Sequence, residues 1–213
     1  MKNNFDQAQY LIWDWNGTLF NDSWLCVEIL NELMTRRNRP PVSMETYQAH
    51  FGFPVIDYYR SIGLFAANES FENVASEFMA EYERRRLECK LQAGAIEALN
   101  YFSKLGRQQF ILSAYKHDSL EEIVAHYEVG HYFEGLSGLA DHYAKSKLES
   151  GLRMMSDLKI APAKALLIGD TLHDHEVATA IGVNCILIPS GHQSVERLKA
   201  SGAHVALSLF DMI

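Results

Sequence analysis

Three short apolar runs, each ending in small polar or acidic residues, most constrain the fold of this 213-residue chain. They read YLIWDW at 10–15, QFILSA at 109–114 and ALLIGD at 165–170. Such runs are typical of strands buried on both faces of a parallel sheet. Helical patterns separate and follow them, and a fourth apolar run, VNCILIP, comes later. Alternating strands and helices predict an α/β fold with a doubly wound, Rossmann-like parallel sheet.

The segment between the first two runs has a different character. Two helical stretches, SWLCVEILNELMTRR and NESFENVASEFMAEYERRRLE, surround a middle that contains three prolines. No convincing strand pattern interrupts them, which favours a helical insert after the first strand. We therefore predict a smaller all-α cap domain at residues 21–90, inserted into an α/β core domain made of residues 1–20 and 91–213.

The composition favours small-molecule chemistry. A formal net charge of −8 argues against general affinity for nucleic acid or an anionic membrane. No apolar run is long enough to span a bilayer, and MKNNFDQAQY does not have the apolar core of a secretory signal. Three widely spaced cysteines form neither a disulfide framework nor a zinc knuckle. We expect a cytoplasmic protein with reduced thiols, and the sequence leaves its oligomeric state open.

Polar residues end each of the three buried runs. Asp14 and Asn16 end the first, Ser113 and Ala114 the second, and Asp170 the third. Because ligands bind beyond the carboxyl ends of strands in an open parallel sheet, these residues are expected to meet in one site. A buried carboxylate is costly unless it is paired or holds a metal. A lone turn aspartate would explain Asp14, but the second acidic cluster, GDTLHD, favours a shared site.

The acidic residues are suited to a hard divalent cation. Asp14, Asp170 and Asp174 offer the all-oxygen ligands that Mg²⁺ prefers, together with waters and phosphate oxygens. His173 and His175 could suggest zinc, but no further histidine or cysteine is well placed to complete such a site. The sequence therefore predicts Mg²⁺ as the cofactor.

A phosphate group would need hydrogen-bond donors and positive charge in addition to the metal. Backbone N–H groups around Gly17 and Thr18 and after Ser113, with the Ser113 hydroxyl, could supply the donors. The charge could come from one of three lysines: Lys116, Lys145 and Lys147.

Four motifs in order resemble those of the haloacid dehalogenase-like hydrolases. DWNGTL is similar to the first motif of that family, ILSA to the second, SKLESG to the lysine motif and GDTLHD to the acidic GDxxxD motif. The predicted cap follows the first motif, as in the phosphatase branch that includes phosphoglycolate phosphatase. HFGFP at 50–54 also resembles a substrate-selecting loop of that branch, although a glycine-proline turn explains it equally well.

The resemblance implies a role for each acidic residue. Asp14 would be the nucleophile that attacks phosphorus and forms an aspartyl-phosphate. Mg²⁺ would be bound by Asp14, by the backbone carbonyl of Asn16 and by Asp170. Asp174 would be a further metal ligand or would accept a hydrogen bond from a metal-bound water.

The same resemblance implies a phosphate-binding set. Ser113 would bind a phosphate oxygen, and Lys147 would neutralise charge and steady Asp14. Lys147 is preferred to Lys145 because it directly precedes LESG, and the sequence leaves both open. Three further residues would contribute to substrate binding: Gly17, Thr18 and Ala114.

The sequence departs from this family at residue 16. Most of its phosphatases carry a second aspartate there, which protonates the leaving group and later activates water. Asn16 cannot exchange a proton near neutral pH, and general acid–base catalysis is typically worth about 10²–10⁴ in rate. The retained GDxxxD motif argues against a metal-free dehalogenase. The absence of lysine between Lys2 and Lys90 argues against Schiff-base chemistry from the cap.

We therefore predict Mg²⁺-dependent hydrolysis of a small phosphorylated metabolite through an aspartyl-phosphate. The reaction would be slow, would need a good leaving group, or would use another acid such as His173. The alternative is a protein that binds a phosphorylated ligand or a partner without turnover. On sequence alone, Asn16→Asp is expected to raise the rate of a competent site.

Overall fold

A six-stranded sheet forms the centre of the protein, whose computed structural model describes residues 7–65, 68–139 and 147–213. The strands are β1 (Tyr10–Trp13), β2 (Phe20–Asn21), β3 (Lys90–Leu91), β4 (Gln108–Lys116), β5 (Gly135–Leu139), β6 (Ala165–Gly169), β7 (Asn184–Leu187) and β8 (His204–Val205). The order in the large sheet is β5-β4-β1-β6-β7-β8, and all neighbouring strands in it are parallel.

Helices cover both faces of this sheet. The helices are α1 (Ser23–Arg36), α2 (Met44–His50), α3 (Val55–Ser61), α4 (Phe71–Arg85), α5 (Ala95–Lys104), α6 (His117–His126), α7 (Lys147–Asp157), α8 (Leu172–Ile181) and α9 (Val195–Ala200). Alternate residues of a strand point to opposite faces. Leu11 and Trp13 share a buried cluster with α5 and α6, whereas Ile12 packs with α7 and α8. The predicted α/β fold with a doubly wound parallel sheet is confirmed.

A two-stranded ribbon joins the core to the helical cap, which comprises α1–α4. β2 pairs antiparallel with β3, so the chain leaves and re-enters the core side by side. Helix α1 buries Leu25, Ile29 and Leu33, spaced four residues apart, as one apolar stripe, and it packs against α4. The structure thus contains the predicted helical cap, while the domain bounds at 21–90 stay a prediction.

Two features of the helices bear on the sequence predictions. Helix α8 begins at Leu172, because Thr171 and Asp174 form a reciprocal capping box at its first turn, whereas the helical pattern of the sequence predicts it only from Glu176 to Ile181. That cap places Asp174 directly beyond β6. Within the described ranges, no helix is long and apolar enough to cross a membrane.

Candidate active site

The carboxyl ends of β1 and β6 bring the predicted acidic residues together. The two strands are neighbours, and Trp13 pairs with Ile168, so Asp14 and Asp170 emerge side by side. Asp174 reaches the same place from the first turn of α8. Carboxylate oxygens of the three aspartates lie within 4.8 Å of one another, and all three residues are buried.

Lys147 supplies positive charge to this acidic cluster. It is the first residue of α7, its side chain is 3% exposed, and its Nζ lies 2.5 Å from Asp14 Oδ1. The same ammonium contacts Asp174 Oδ1. Asp174 Oδ2 accepts from the backbone N–H and the hydroxyl of Thr171, at 3.0 and 2.7 Å. Asp174 therefore orients Lys147 and caps α8. Lys145, the other candidate, lies outside the described residues.

The loop after β1, residues 15–19, closes over the carboxylates and is called the first-motif loop below. The Thr18 hydroxyl lies 3.2 Å from both Asp14 Oδ2 and Asp170 Oδ1, so it bridges the two strand ends. Gly17 has a φ of 77°, and an added Cβ would lie 2.2 Å from Asp170 Oδ2. The backbone N–H groups of Gly17 and Thr18 were predicted to bind phosphate, but here they donate to acceptors within the chain.

Ser113 and Ala114 lie on β4, beside the end of β1. Ile111 pairs with Trp13, so β4 continues past the point where β1 ends. Ser113 is buried, and its Oγ accepts from the backbone N–H of Tyr115 at 3.0 Å, whereas Ala114 is exposed. Both residues lie at the same edge of the sheet as the acidic cluster, and their contacts with phosphate stay predictions.

The side chain of Asn16 faces the helical cap. Its Nδ2 donates to Asp22 Oδ2 at 2.8 Å and to the Tyr82 hydroxyl at 2.7 Å. The Tyr82 hydroxyl in turn donates to Asp22 Oδ2 at 2.7 Å. Asp22 directly follows β2 and is 1% exposed, and Tyr82 belongs to α4. The residue that departs from the family pattern is therefore part of a buried contact between the first-motif loop and the cap.

His192 belongs to the site although the sequence reasoning did not select it. Its backbone N–H donates to Asp170 Oδ2 at 2.6 Å, and its Nε2 lies 3.4 Å from Asp22 Oδ1. Its Nδ1 is 2.9 Å from the hydroxyl of Tyr47 in α2. His192 follows β7, so the rule that ligands lie beyond strand ends, extended to the fourth apolar run, would have pointed to it.

The segment HFGFP connects the cap to the core near the acidic cluster. The Phe51 carbonyl accepts from Gln193 Nε2 at 2.9 Å. The ring centroid of Phe53 lies 4.8 Å from that of His173 in α8, and Phe53 is 45% exposed. An aromatic ring therefore stands at the rim between cap and core. This position suits a substrate-selecting loop, and that role stays a prediction.

Burial shifts the pKa values of the acidic residues. It raises the pKa of Asp14 to about 6, although Lys147 opposes the shift, and it raises that of Asp170 to about 8 against the nearby His192. Burial acts in the same direction on Asp174, but the Lys147 ammonium outweighs it and lowers that pKa. Asp14 and Asp170 are therefore more stable when they are protonated or when a further cation lies beside them.

This donor set fits Mg²⁺. Its oxygens are hard ligands, and the cluster brings three carboxylates to one lysine ammonium. The Asp14 and Asp170 oxygens also flank a single hydroxyl, so they lie close enough to share one ion. Mg²⁺ would be held by Asp14, Asp170 and the backbone carbonyl of Asn16. Asp174 would be a further ligand or would accept a hydrogen bond from a metal-bound water, and both of these roles stay predictions.

The stability of the metal-free protein is expected to fall as the pH rises from about 4 to about 9. The folded-state pKa of Asp170 is about 8 and that of Asp14 about 6, against 3.8 in the unfolded chain, so the folded state retains protons that the unfolded state has released. Burial lowers the pKa of His192, but Asp22 outweighs burial and raises it from 6.5 to about 9, which also stabilises the fold only at lower pH.

Because Mg²⁺ binds ionised carboxylates, the increase in Tm that it produces should be larger at about pH 8 than at about pH 6. Thermal unfolding with Mg²⁺ and with EDTA at both pH values checks this. A metal-free Tm that rises with pH, or a Mg²⁺ effect that is equal at both values, would contradict the expectation.

Comparisons with known proteins identify the family of the chain. Residues 11–188 match the model of a family described as haloacid dehalogenase-like hydrolase. Among curated proteins, tyrosine-protein kinase PtkA of Mycobacterium tuberculosis is 22% identical over 189 residues, which cover 88% of this chain and 64% of that protein. The chain thus spans less than two thirds of the length of this relative.

Solved structures show the same fold at low sequence identity. A haloacid dehalogenase-like family hydrolase from Streptococcus pneumoniae has a TM-score of 0.82 at 18% identity, with 97% of each chain covered. A predicted phosphatase from Clostridium acetobutylicum has 0.81 at 18% identity, with 96% of each covered. PtkA of M. tuberculosis has 0.80 at 19% identity, with 97% of each covered. These likenesses show the fold, and the match of residues 11–188 to the family model shows that the chain belongs to the haloacid dehalogenase-like hydrolases.

Proposed function

We propose that this protein hydrolyses small phosphate monoesters in a Mg²⁺-dependent reaction, through an aspartyl-phosphate on Asp14. The main support is the buried arrangement around Asp14, whose carboxylate has the Lys147 ammonium 2.5 Å away and two further carboxylates beside it. A structural ion pair does not require two additional buried acids, whereas metal-assisted phosphoryl transfer does use such a set.

Asp14 and Lys147 would act directly in this reaction. Asp14 attacks phosphorus through one oxygen while Lys147 holds the other, which orients the nucleophile and offsets the charge of the phosphate. Bound Mg²⁺ would neutralise charge on the phosphoryl oxygens. The three carboxylates are buried, and the cap contacts the first-motif loop and His192 beside them, so the site is suited to a small phosphorylated metabolite that reacts away from bulk water.

Asn16 should affect the two halves of the reaction differently. A good leaving group departs without being protonated, so formation of the aspartyl-phosphate tolerates an amide at residue 16. Water that attacks this intermediate must still lose a proton, and an amide cannot accept it. The intermediate is therefore expected to form faster than it is hydrolysed.

With p-nitrophenyl phosphate and Mg²⁺, we expect a burst of p-nitrophenol that approaches one equivalent per site. A steady rate slower than the burst by about 10²-fold or more should follow, the size of a missing general base. Rapid-mixing absorbance measures both phases, and trapping of the acyl phosphate with hydroxylamine counts the intermediate. A fast steady rate without a burst would show that another group has taken over proton transfer.

The alternative is a protein that binds a phosphorylated ligand without turnover, and Asn16 is the observation that favours it. The deciding experiment measures phosphate release from p-nitrophenyl phosphate and a panel of small phosphate monoesters, with Mg²⁺ and with EDTA. Metal-dependent release supports the phosphatase. A folded protein that binds inorganic phosphate and releases none from any ester supports the binding protein.

A further inference from the structure

Asp22 lies where the chain passes from the core into the cap, between β2 and α1. Its carboxylate is buried and receives donors from three parts of the molecule. The first-motif loop provides the Gly17 N–H at 2.9 Å and Asn16 Nδ2 at 2.8 Å. The cap provides the Tyr82 hydroxyl at 2.7 Å, and the core loop after β7 provides His192 Nε2 at 3.4 Å.

The loop after β7 also contacts helix α2 of the cap. The Tyr47 hydroxyl contacts His192 Nδ1, Gln48 Nε2 donates to the Gly191 carbonyl at 2.8 Å, and the Ser194 N–H donates to the Gln48 carbonyl at 3.1 Å. Asp22 is thus the group at which the first-motif loop, the cap and this loop meet. A change in its charge or hydrogen bonding acts on all three.

We propose that Asp22 is the positioning residue that holds the cap on the first-motif loop, and that Asn16 and Asp22 form an amide–carboxylate pair whose two side chains can be exchanged. The structure thereby explains why an amide occupies residue 16. Asn16 Nδ2 lies 2.8 Å from Asp22 Oδ2, and Asp22 is 1% exposed. The aspartate that most phosphatases of the family carry at residue 16 would therefore face a buried like charge.

The hydrogen bonds of the pair are compatible with the exchange. Tyr82 now accepts from Asn16 and donates to Asp22. After the exchange, the same hydroxyl would accept from the amide at residue 22 and donate to the carboxylate at residue 16. The amide oxygen at residue 22 would still accept from the Gly17 N–H and face His192. Asn16→Asp alone has no such arrangement, since it removes a donor and adds a charge.

The test is a cycle of Asn16→Asp, Asp22→Asn and the double variant N16D/D22N, measured by thermal unfolding and by hydrogen exchange of the cap helices. We expect each single variant to lose about 6–12 °C in Tm, because Asn16→Asp places a second carboxylate beside Asp22 and Asp22→Asn removes the carboxylate that pairs with His192. The double variant should lose clearly less than the sum of the two single losses, with α4 protected as in the wild type. Asp57→Asn on α3, whose side chain is 65% exposed, is the matched control and should leave the Tm unchanged.

The catalytic readout of this cycle rests on the proposed function. A carboxylate at residue 16 restores the missing acid and base, so N16D/D22N should raise the steady rate by about 10²-fold or more and remove the burst. Asn16→Asp alone should increase the steady rate by less, because the two neighbouring carboxylates would displace the cap. This rescue of rate by the paired exchange is not expected if Asp22 is merely part of the packing.

Two results would overturn the inference: Asn16→Asp as stable as the wild type, or a double variant whose loss equals the sum of the single losses. If a single variant does not fold, Tyr82→Phe is the replacement test, because it removes only the hydroxyl that bridges Asn16 and Asp22. Tyr82→Phe should make hydrogen exchange faster in α4 and not in β4, and unchanged exchange in α4 would count against the pair. Coupling in Tm without phosphate release from any variant refutes the proposed function and leaves the pair standing. Metal-dependent release without coupling refutes the pair alone.

Discussion

Asp14→Asn is expected to abolish Mg²⁺-dependent phosphate release, with a loss of about 10⁴-fold or more in kcat/KM. The amide has nearly the same volume as the carboxylate, but it cannot attack phosphorus and is a weak metal ligand. Lys147 keeps Asp174 as a partner, so the buried ammonium is not left unpaired. Initial rates with p-nitrophenyl phosphate and Mg²⁺, together with the Tm of both proteins, measure the effect.

The control for this prediction is the same substitution at an exposed position. Asp57→Asn on α3 changes the formal charge by the same amount, far from the acidic cluster in sequence, and should leave the rate unchanged. If Asp14→Asn retained metal-dependent release while folded, the nucleophile would have been assigned to the wrong residue. Loss of release with an intact fold would tie the activity to this carboxylate and exclude a contaminating phosphatase.

Gly191→Ala is expected to destabilise the fold by about 3 kcal/mol or more, or to prevent folding. An added Cβ would lie 2.1 Å from Asp170 Oδ2 and 2.5 Å from the Cα of Gly17. The contact with Gly17 is with backbone, so no change of rotamer relieves it. The backbone N–H of His192, which follows Gly191, donates to Asp170 Oδ2. The added methyl group would therefore also displace a predicted metal ligand.

Gly130→Ala is the matched control, because its Cβ would have an ordinary contact of 3.7 Å and its backbone is not left-handed. Chemical denaturation of the three proteins gives the free energies of unfolding. Gly191→Ala with wild-type stability would mean that the loop after β7 does not pack this closely on the first-motif loop.

Much of the fold follows from short-range patterns. The apolar runs predicted β1, β4, β6 and β7, because strands buried on both faces carry an uninterrupted apolar signal. The sequence reading did not include β5 or β8. The sequence of β5 is GLSGL and all of it is half-buried, and β8 has two residues, so neither has such a signal. Pairing with a neighbouring strand determines these two elements.

Position at a strand end also predicted most of the candidate site. The parallel sheet places Asp14 beside Asp170, and α7 and α8 bring Lys147 and Asp174 to them, as four motifs in order indicated. The phosphate donors expected at Gly17 show the limit of this reasoning. Its N–H donates to the Phe20 carbonyl and to Asp22 Oδ1, which the sequence did not indicate, and its contact with phosphate stays a prediction.

The sequence by itself determined the sheet, the family and the acidic cluster, because these depend on hydrophobic pattern and on residues at strand ends. Only the tertiary structure decided what surrounds Asn16. Asp22, Tyr82 and His192 are 6, 66 and 176 residues away from it along the chain, and they meet because the ribbon of β2 and β3 folds the cap back onto the loop after β7. Electrostatics in a buried site depends on these distant neighbours, which a local motif does not specify.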